Sequence, residues 1–342
     1  MYIILAILLF GFLVFIHELG HFIAALACKV KVNEFAIGMG PKIFSRTSKK
    51  NGIAYSLRLF PIGGFVSMDG ENESSDNEAA LCNKPVWQRI IITVAGPLMN
   101  LLLGFVLMAV LVTASGNLAS NTIDQFQDIS ISDIRGLREG DTIIKVDGTR
   151  VYTGNEVVYE IMMQGYEAID IVVIRDGEER LIPDVHFPTD VQSGITIGVY
   201  DFYLKAEPKT VGNVIKHAWT RSLSTVKMVW DSLAGLIVGR YGVEAISGPI
   251  GVTEQITEVA KSGDALNLLY LFIVISINLG VMNLLPIPAL DGGHLLFYLI
   301  ELCIGKPIVN SNIENYIHAI GMLILLGFIG FICVKDIFGL FT

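Results

Sequence analysis

The class of this protein follows from its first apolar stretch, residues 2–27, which reads YIILAILLFGFLVFIHELGHFIAALA. A helix of about 20 apolar residues crosses the ~30 Å hydrocarbon core of a bilayer. An apolar amino terminus can also be a signal peptide, but this one has no basic residues ahead of it and no small-residue cleavage site after it. We therefore predict that it is retained as a transmembrane helix.

The rest of the chain is also apolar. Of its 342 residues, 52% are hydrophobic and 17% are charged, against about 25% charged in an ordinary soluble domain. Three further apolar runs, residues 90–113, 266–285 and 316–334, are predicted as transmembrane helices. The net charge of −9 argues against a nucleic-acid partner, which requires a basic surface. The four cysteines have no paired spacing, so we expect neither a disulfide framework nor a cysteine zinc site.

Basic residues set the predicted orientation. The loop of residues 28–90 carries nine lysines and arginines, and short basic loops stay in the cytoplasm. The region of residues 115–265 is long and acidic, and long loops cross the membrane largely regardless of charge. We expect a multi-pass protein of the cell membrane whose amino terminus and 115–265 region lie outside the cytoplasm.

A metal-binding motif lies inside the first predicted span, where residues 17–21 read HELGH. Two histidines four residues apart on a helix are about 40° apart around its axis, so both can bind one metal ion. Glu18 points about 100° away from His17, where it can accept a proton from a water molecule beside the metal. Three ionisable groups in one span are costly, which favours a functional site over a chance pattern.

The third ligand must come from elsewhere, because catalytic zinc takes three protein ligands and keeps one position open. Residues 283–294, at the end of the third span, read NLLPIPALDGGH. The two prolines interrupt the helix, and Asp291 follows that break on the same side of the membrane as His17. From the residues alone, Asp291 is a ligand or a turn aspartate with equal weight. His294 is a rival ligand, and Glu301 is a weaker one.

Several segments resemble the site-2 protease family of intramembrane zinc metalloproteases, in the bacterial branch that includes the regulator of sigma-E protease. In family order they are HELGH at 17–21, PIGGFVSMDGE at 61–71, AGPLMN at 95–100, SGPIGV at 247–252 and NLLPIPALDGGH at 283–294. They cover nearly the whole chain. One departure is that the best-studied member carries two tandem PDZ domains, whereas this chain has room for one.

The resemblance implies roles for five residues. His17, His21 and Asp291 would bind zinc, and Glu18 would be the catalytic base. Asn283 falls where the family has an asparagine linked to substrate handling. The family function is regulated intramembrane proteolysis, in which single-span membrane proteins such as anti-sigma factors or remnant signal peptides are cut, often after a first protease has removed the outer part.

Residues 118–205 are predicted to form a small α+β domain. Short β-rich runs at 142–146 and 169–174 alternate with two Asp-Gly turns. Residues 136–148 resemble the core of a PDZ domain, and such domains capture an extended peptide by adding it to a sheet edge. We expect the domain to screen substrates outside the cytoplasm; the plainer alternative is a spacer that stabilises the fold.

A short cytoplasmic β-hairpin is predicted at residues 52–70. Residues 55–60, ahead of a Pro-Ile-Gly-Gly sequence, alternate in the way a strand does, and two short strands are expected around that sequence. A protease must unwind a helical substrate to reach its peptide bonds, and an exposed strand edge can hold the unwound segment. We therefore name Gly63 and Gly64 as candidate substrate-binding residues. The family resemblance suggests that this hairpin dips into the membrane; the alternative is a plain cytoplasmic hairpin.

Residues 206–264 are predicted to form amphipathic helices. Trp219 and Trp230 lie there among basic residues, a pattern typical of a membrane interface. Packing against the preceding domain explains the same pattern equally well.

The predicted fold is a polytopic α-helical membrane protein with about four transmembrane helices, an inserted extracytoplasmic PDZ domain and a β-hairpin. Residues 1–114 and 265–342 are the expected halves of the membrane core.

The predicted function is zinc-dependent intramembrane endopeptidase, with single-span membrane proteins, membrane lipid and a peptide in the PDZ groove as partners. One alternative is a non-catalytic PDZ-bearing scaffold, against which the presence of Glu18 speaks. Another is a different membrane zinc peptidase, such as one acting on prenylated protein tails, against which the proline-broken segment before Asp291 speaks.

Overall fold

The computed structural model describes residues 2–71, 75–192, 195–239, 246–306 and 311–339. In chain order its helices are α1 (Tyr2–Ala27), α2 (Val86–Ala114), α3 (Gly154–Gln164), α4 (Val211–Val238), α5 (Pro249–Ser262), α6 (Ala265–Asn283), α7 (Asp291–Ile304) and α8 (Ser311–Gly339). Its strands are β1 (Val32–Thr47), β2 (Ala54–Met68), β3 (Leu118–Phe126), β4 (Thr142–Val146), β5 (Thr149–Arg150), β6 (Ile169–Arg175), β7 (Glu178–Val185), β8 (Thr189–Gln192), β9 (Ile195–Gly198) and β10 (Phe202–Glu207).

Four of the described helices, α1, α2, α6 and α8, are long and apolar enough to cross a membrane. This confirms the prediction of a multi-pass helical membrane protein with an inserted domain rich in β-structure. The chain forms two compact units, divided within α2 between Gly104 and Phe105. The first unit holds α1, β1, β2, the start of α2 and α5–α8, and the second holds the end of α2, β3–β10, α3 and α4. The helices predicted at 206–264 include α4 and α5, whereas residues 240–245 lie outside the described residues.

The β-structure of the first unit is larger than the sequence predicted. Strands β1 and β2 pair, and Phe35 on β1 lies opposite both Val66 and Tyr55 of β2. The two ends of β2 therefore flank the first part of β1. The prediction of a hairpin confined to residues 52–70 is wrong, because the pairing partner begins at Val32. Two left-handed glycines and a proline inside β1 had hidden its strand pattern.

Aromatic packing fixes this β-structure beside α1. The rings of Phe22 on α1 and Phe35 on β1 stack with their centroids 4.6 Å apart. Val66, Leu81 and Ile92 join them in one buried apolar cluster. Since Phe22 directly follows the HELGH motif on α1, this cluster holds β2 next to the motif.

A charged residue also links the strands. Glu34 of β1 accepts hydrogen bonds from the Ser56 hydroxyl, 2.5 Å away, and from Lys42 and Arg58 at 2.9 and 3.0 Å. Burial alone would raise the pKa of Glu34, but these three donors outweigh it and lower the pKa to about 2. Glu34 is therefore ionised at neutral pH and cross-links three parts of the two strands.

The second unit is built on an antiparallel sheet with the strand order β10-β3-β4-β6-β7. The Asp176-Gly177 pair joins β6 to β7, and both residues have positive φ angles, 54° and 85°, as a two-residue hairpin turn requires. Helix α3 packs against this sheet, and its Glu156 carboxylate accepts the Thr153 backbone N–H at 2.9 Å. The buried core of the unit centres on Phe202, which is fully buried among other aromatic rings.

We predict that Phe202→Ala destabilises the second unit by about 3–5 kcal/mol, because it leaves a large cavity in a packed core. Tyr203→Ala is the matched control, since Tyr203 is adjacent on the same strand but 52% exposed. The free energy of unfolding would be measured by pulse proteolysis of the full chain in detergent. Equal destabilisation by both substitutions would contradict this account of the core.

Candidate metal centre

Three polar side chains from distant parts of the chain meet in the first unit. His17 and His21 lie one turn apart on α1, and Asp291 is the first residue of α7. His17 Nε2 is 3.2 Å from His21 Nε2 and 3.0 Å from Asp291 Oδ2, and His21 Nε2 is 3.4 Å from the same oxygen. Both histidines are buried, so three potential ligand atoms point at one place inside the protein.

The residues present fit a zinc ion. Asp291 Oδ2 is buried and makes no hydrogen bond, although two ring nitrogens lie within 3.4 Å of it. A buried carboxylate oxygen is costly unless a donor or a cation compensates it. Two imidazole nitrogens and one carboxylate oxygen, with a fourth position open, are a typical ligand set of catalytic zinc.

A sharp connection brings Asp291 to the histidines. Helix α6 ends at Asn283, before two prolines, and Ala289 adopts a positive φ of 81° just before α7 begins. Gly292 makes this path sterically possible, because a Cβ there would lie 2.1 Å from the Leu285 carbonyl oxygen. The partial positive charge at the amino terminus of α7 also favours an ionised carboxylate at this position.

Helix α2 contacts both histidine rings and helps to fix their orientation. His21 Nδ1 donates a hydrogen bond to the Ile92 carbonyl oxygen at 2.8 Å, which leaves the Nε2 lone pair free to face Asp291. Gly96 lies against the same ring, and a Cβ there would be 2.2 Å from His21 Nε2. The amide of Asn100 lies 3.3 Å from His17 Nδ1.

Glu18 lies in the same cavity as the three ligand candidates. Its Oε2 accepts a hydrogen bond from the Val66 backbone N–H of β2 at 3.1 Å. The cavity has a volume of about 140 Å³. Its lining includes His17, Glu18, His21, Val66, Asp291 and His294. The arrangement puts a carboxylate beside the ligand cluster without its being part of that cluster.

The three predicted substrate-binding residues have different surroundings. A Cβ on Gly64 would lie 3.8 Å from Glu18 Cγ, so this glycine is close to the cavity. Gly63, with φ of 76°, faces Val14. The Asn283 side chain donates to the Leu279 carbonyl oxygen of its own helix at 3.0 Å, and among described residues it is not part of the cavity lining.

The rival ligands are engaged elsewhere. His294 Nδ1 lies 3.2 Å from a Glu314 carboxylate oxygen, and its ring stacks on His318 with centroids 3.6 Å apart. His318 Nδ1 accepts the Ala289 N–H at 3.1 Å, so the proton of a neutral His318 ring is on Nε2 and that atom cannot bind a metal. Glu301 forms an ion pair with Arg89 at 2.6 Å.

Sequence reasoning missed the support that α2 and β2 give to the site. The Ile92 and Val66 contacts use backbone atoms, which every residue has, so no side-chain pattern could reveal them. Gly96 and Asn100 belong to the AGPLMN segment, whose resemblance to the family assigns no role to either residue. The available signal was a glycine and an amide side chain close to a proline inside an apolar span, because small and polar residues in spans mark helix contacts and functional sites.

Comparison with known proteins identifies the family. A family model described as Peptidase family M50 matches residues 5–328. The chain belongs to peptidase family M50. The match covers most of the chain, including the five segments between residues 17 and 294 that resemble the family, and it confirms the family predicted from them.

Individual relatives agree with the family match. An M50 relative from Bacillus subtilis, named regulator of sigma-W protease RasP, is 31% identical over an alignment of 403 positions, gaps included, which covers 94% of each chain. The zinc metalloprotease RasP of Geobacillus kaustophilus is also 31% identical, over an alignment of 408 positions that covers 94% of each chain. A Clostridium acetobutylicum protein named as a candidate zinc metalloprotease is 33% identical over 335 residues, 98% of this chain and 97% of its own.

This M50 peptidase is therefore a zinc-dependent metalloendopeptidase of the membrane that acts in regulated intramembrane proteolysis. The predicted enzyme class and zinc cofactor are confirmed. The scaffold alternative is set aside, and so is the alternative of another class of membrane zinc peptidase.

We predict that Gly96→Ala weakens zinc binding by at least about tenfold, because the new methyl group would push His21 out of line with the other ligand atoms. Gly327→Ala is the control, since Gly327 lies on α8 with nothing within 4 Å of the added carbon. The affinity would be measured by titrating zinc into metal-free protein against a competing chelator. Wild-type affinity in Gly96→Ala would show that α2 does not confine His21.

Proposed function

We propose that His17, His21 and Asp291 hold the zinc ion and that Glu18 is the catalytic base for peptide-bond hydrolysis within the membrane. The observation that carries this proposal is the convergence of the three ligand atoms within 4.8 Å of one another, with Glu18 in the same cavity. The charged and polar groups lie on spanning helices or next to one, where such groups are costly without a function.

The chemistry follows from where the side chains point. Zinc, when bound, supplies a Lewis acid for the attacking water and the scissile carbonyl. Glu18 accepts the proton of that water and passes it to the leaving amine. The Val66 N–H holds one Glu18 oxygen at 3.1 Å, so the carboxylate is oriented before a substrate arrives. Asp291 and the two histidines are occupied as ligands and take no part in proton transfer.

The substrates we infer are single-span membrane proteins whose transmembrane segment unwinds against β2. The β1–β2 structure carries large apolar side chains that are exposed to its surroundings. They are Ile37, Met39, Ile43, Phe44, Leu57, Leu59 and Phe60. An exposed apolar surface of this kind suits insertion into lipid. We propose that Gly63 and Gly64 let a substrate strand approach the backbone closely, and that Asn283 positions the substrate from α6.

For the second unit we propose a PDZ domain on the outer side of the cell membrane that binds an extended peptide. Its antiparallel sheet and the helix α3 beside it support that assignment. The nine basic residues of the 28–90 loop support an orientation with β1 and β2 toward the cytoplasm. The relative named regulator of sigma-W protease supports anti-sigma factors as one substrate class, with remnant signal peptides as another.

We predict that Glu18→Gln lowers the cleavage rate of a model single-span substrate by at least about 10²-fold, because the amide cannot accept a proton. The zinc content of the purified variant stays at the wild-type level, because Glu18 is not a ligand. Cleavage would be followed in detergent, with and without a zinc chelator.

The matched control is His17→Ala, which loses both zinc and activity under this proposal. Wild-type cleavage by zinc-loaded Glu18→Gln would remove Glu18 from the mechanism. Wild-type zinc affinity in His17→Ala would remove His17 from the ligand set.

Single cysteines test the proposed orientation. In a background lacking the four native cysteines, Lys50→Cys lies in the turn between β1 and β2, and Glu178→Cys begins β7. We predict that a membrane-impermeant maleimide labels Glu178→Cys in intact cells and labels Lys50→Cys only after permeabilisation. The reverse pattern would contradict the orientation.

A further inference from the structure

Asn100 is a polar residue buried in an apolar helix without a role in the chemistry described above. It lies on α2, three residues after Pro97, and is fully buried. Its backbone carbonyl oxygen accepts the hydroxyl of Ser276 on α6 at 2.9 Å, and Ser276 is fully buried as well. This hydrogen bond links Asn100 to helix α6 and so fixes the position of the backbone that carries the Asn100 side chain.

The Asn100 amide faces the side of the His17 ring that is turned away from the other ligand atoms. Asn100 Nδ2 lies 3.3 Å from His17 Nδ1, and Asn100 Oδ1 is buried without a hydrogen-bond partner. In this amide orientation His17 Nδ1 must accept a hydrogen bond from Asn100 Nδ2. A neutral His17 ring then carries its proton on Nε2. A proton on Nε2 would point at Asp291 and occupy the lone pair that a metal needs.

Turning the amide by 180° removes this conflict. The two ends of an asparagine amide have almost the same shape, so the rotation needs no extra space. Oδ1 then accepts a hydrogen bond from His17 Nδ1–H, and the oxygen that lacked a partner gains one. The His17 Nε2 lone pair is released toward Asp291.

His21 provides the internal parallel. Its Nδ1 donates to the Ile92 carbonyl oxygen at 2.8 Å, which already fixes the tautomer with a free Nε2. Metal-binding histidines generally donate their second nitrogen to such an acceptor, which orients the ring and raises its basicity. Helix α2 would then supply one acceptor to each histidine, a backbone oxygen for His21 and a side-chain oxygen for His17.

We infer that Asn100 is a positioning residue for the metal centre: its Oδ1 accepts the His17 Nδ1 proton and thereby fixes the tautomer in which Nε2 can bind zinc. This inference rests on the proposed role of His17 as a ligand. It gives the AGPLMN segment two separate tasks, since Gly96 makes room for His21 and Asn100 sets the proton on His17.

Zinc affinity of the full chain in detergent tests the inference without relying on cleavage. Metal-free wild type, Asn100→Leu and Asn100→Asp are titrated with zinc against a competing chelator. Asn100→Leu is expected to lower the affinity about 10–100-fold, the usual loss when a supporting acceptor is removed. Asn100→Asp is expected to match or exceed wild type, because it keeps the acceptor and loses only the amide donor. Leu102→Ala, 51% exposed on the same helix, is the control for α2.

Two outcomes would overturn the inference. One is wild-type zinc affinity in Asn100→Leu. The other is a loss in Asn100→Asp as large as in Asn100→Leu, which would mean that the Nδ2 donor is what matters. If Asn100→Leu does not fold, the smaller Asn100→Ala removes the acceptor in its place, with the same expected loss and the same overturning outcome. Unchanged zinc affinity in His17→Ala would instead count against the proposed ligand set, so the two failures can be told apart.

Discussion

His17, His21 and Asp291 lie close together inside an apolar helical unit, and the surrounding structure must compensate the cost of burying these polar groups. Each of these groups would be more stable in water, and burying polar or charged groups without compensation costs several kcal/mol. The compensation is local: a backbone carbonyl for His21, an amide for His17, and the amino terminus of α7 for Asp291. Each supporting group lies on an element that must approach the cluster closely.

Close approach of neighbouring groups accounts for four glycines of the first unit. A Cβ on Gly20 would lie 2.3 Å from the Ala95 carbonyl oxygen, and one on Gly280 would lie 2.9 Å from the Pro97 carbonyl oxygen. Helices α1 and α6 therefore both contact α2 through small residues, as helices in membranes generally do. Gly96 and Gly292 lie beside the candidate ligands, and each leaves space that a ring or a carbonyl oxygen fills. Helix packing and the metal centre therefore both depend on small residues, each at its own positions.

The features that could be predicted from the sequence were those confined to a single helix, namely its apolar length and the spacing of residues along it. Apolar length gave the four spanning helices, and the i, i+4 spacing gave the histidine pair together with its glutamate. Asp291 could not be chosen over His294 from periodicity, because their distances to α1 depend on how the chain crosses back after α6. The family resemblance favoured Asp291, and the structure puts it beside both histidines. The β1 partner of β2 was missed because glycine and proline interrupt it, and the PDZ assignment stays a prediction.

The hydrogen bond from Val66 to Glu18 has a consequence for how this enzyme can be controlled. The donor is a main-chain N–H, which every amino acid except proline carries, so the tether survives almost any substitution at position 66. The hydrogen bond is broken by movement of the strand or by rotation of the Glu18 side chain, and not by the identity of the residue at position 66. Val66 is also paired with Phe35, whose ring stacks on α1. The orientation of Glu18, the proposed base, therefore depends on the position of the β1–β2 sheet. Displacement of that sheet would change the activity more readily than a change of the Val66 side chain would.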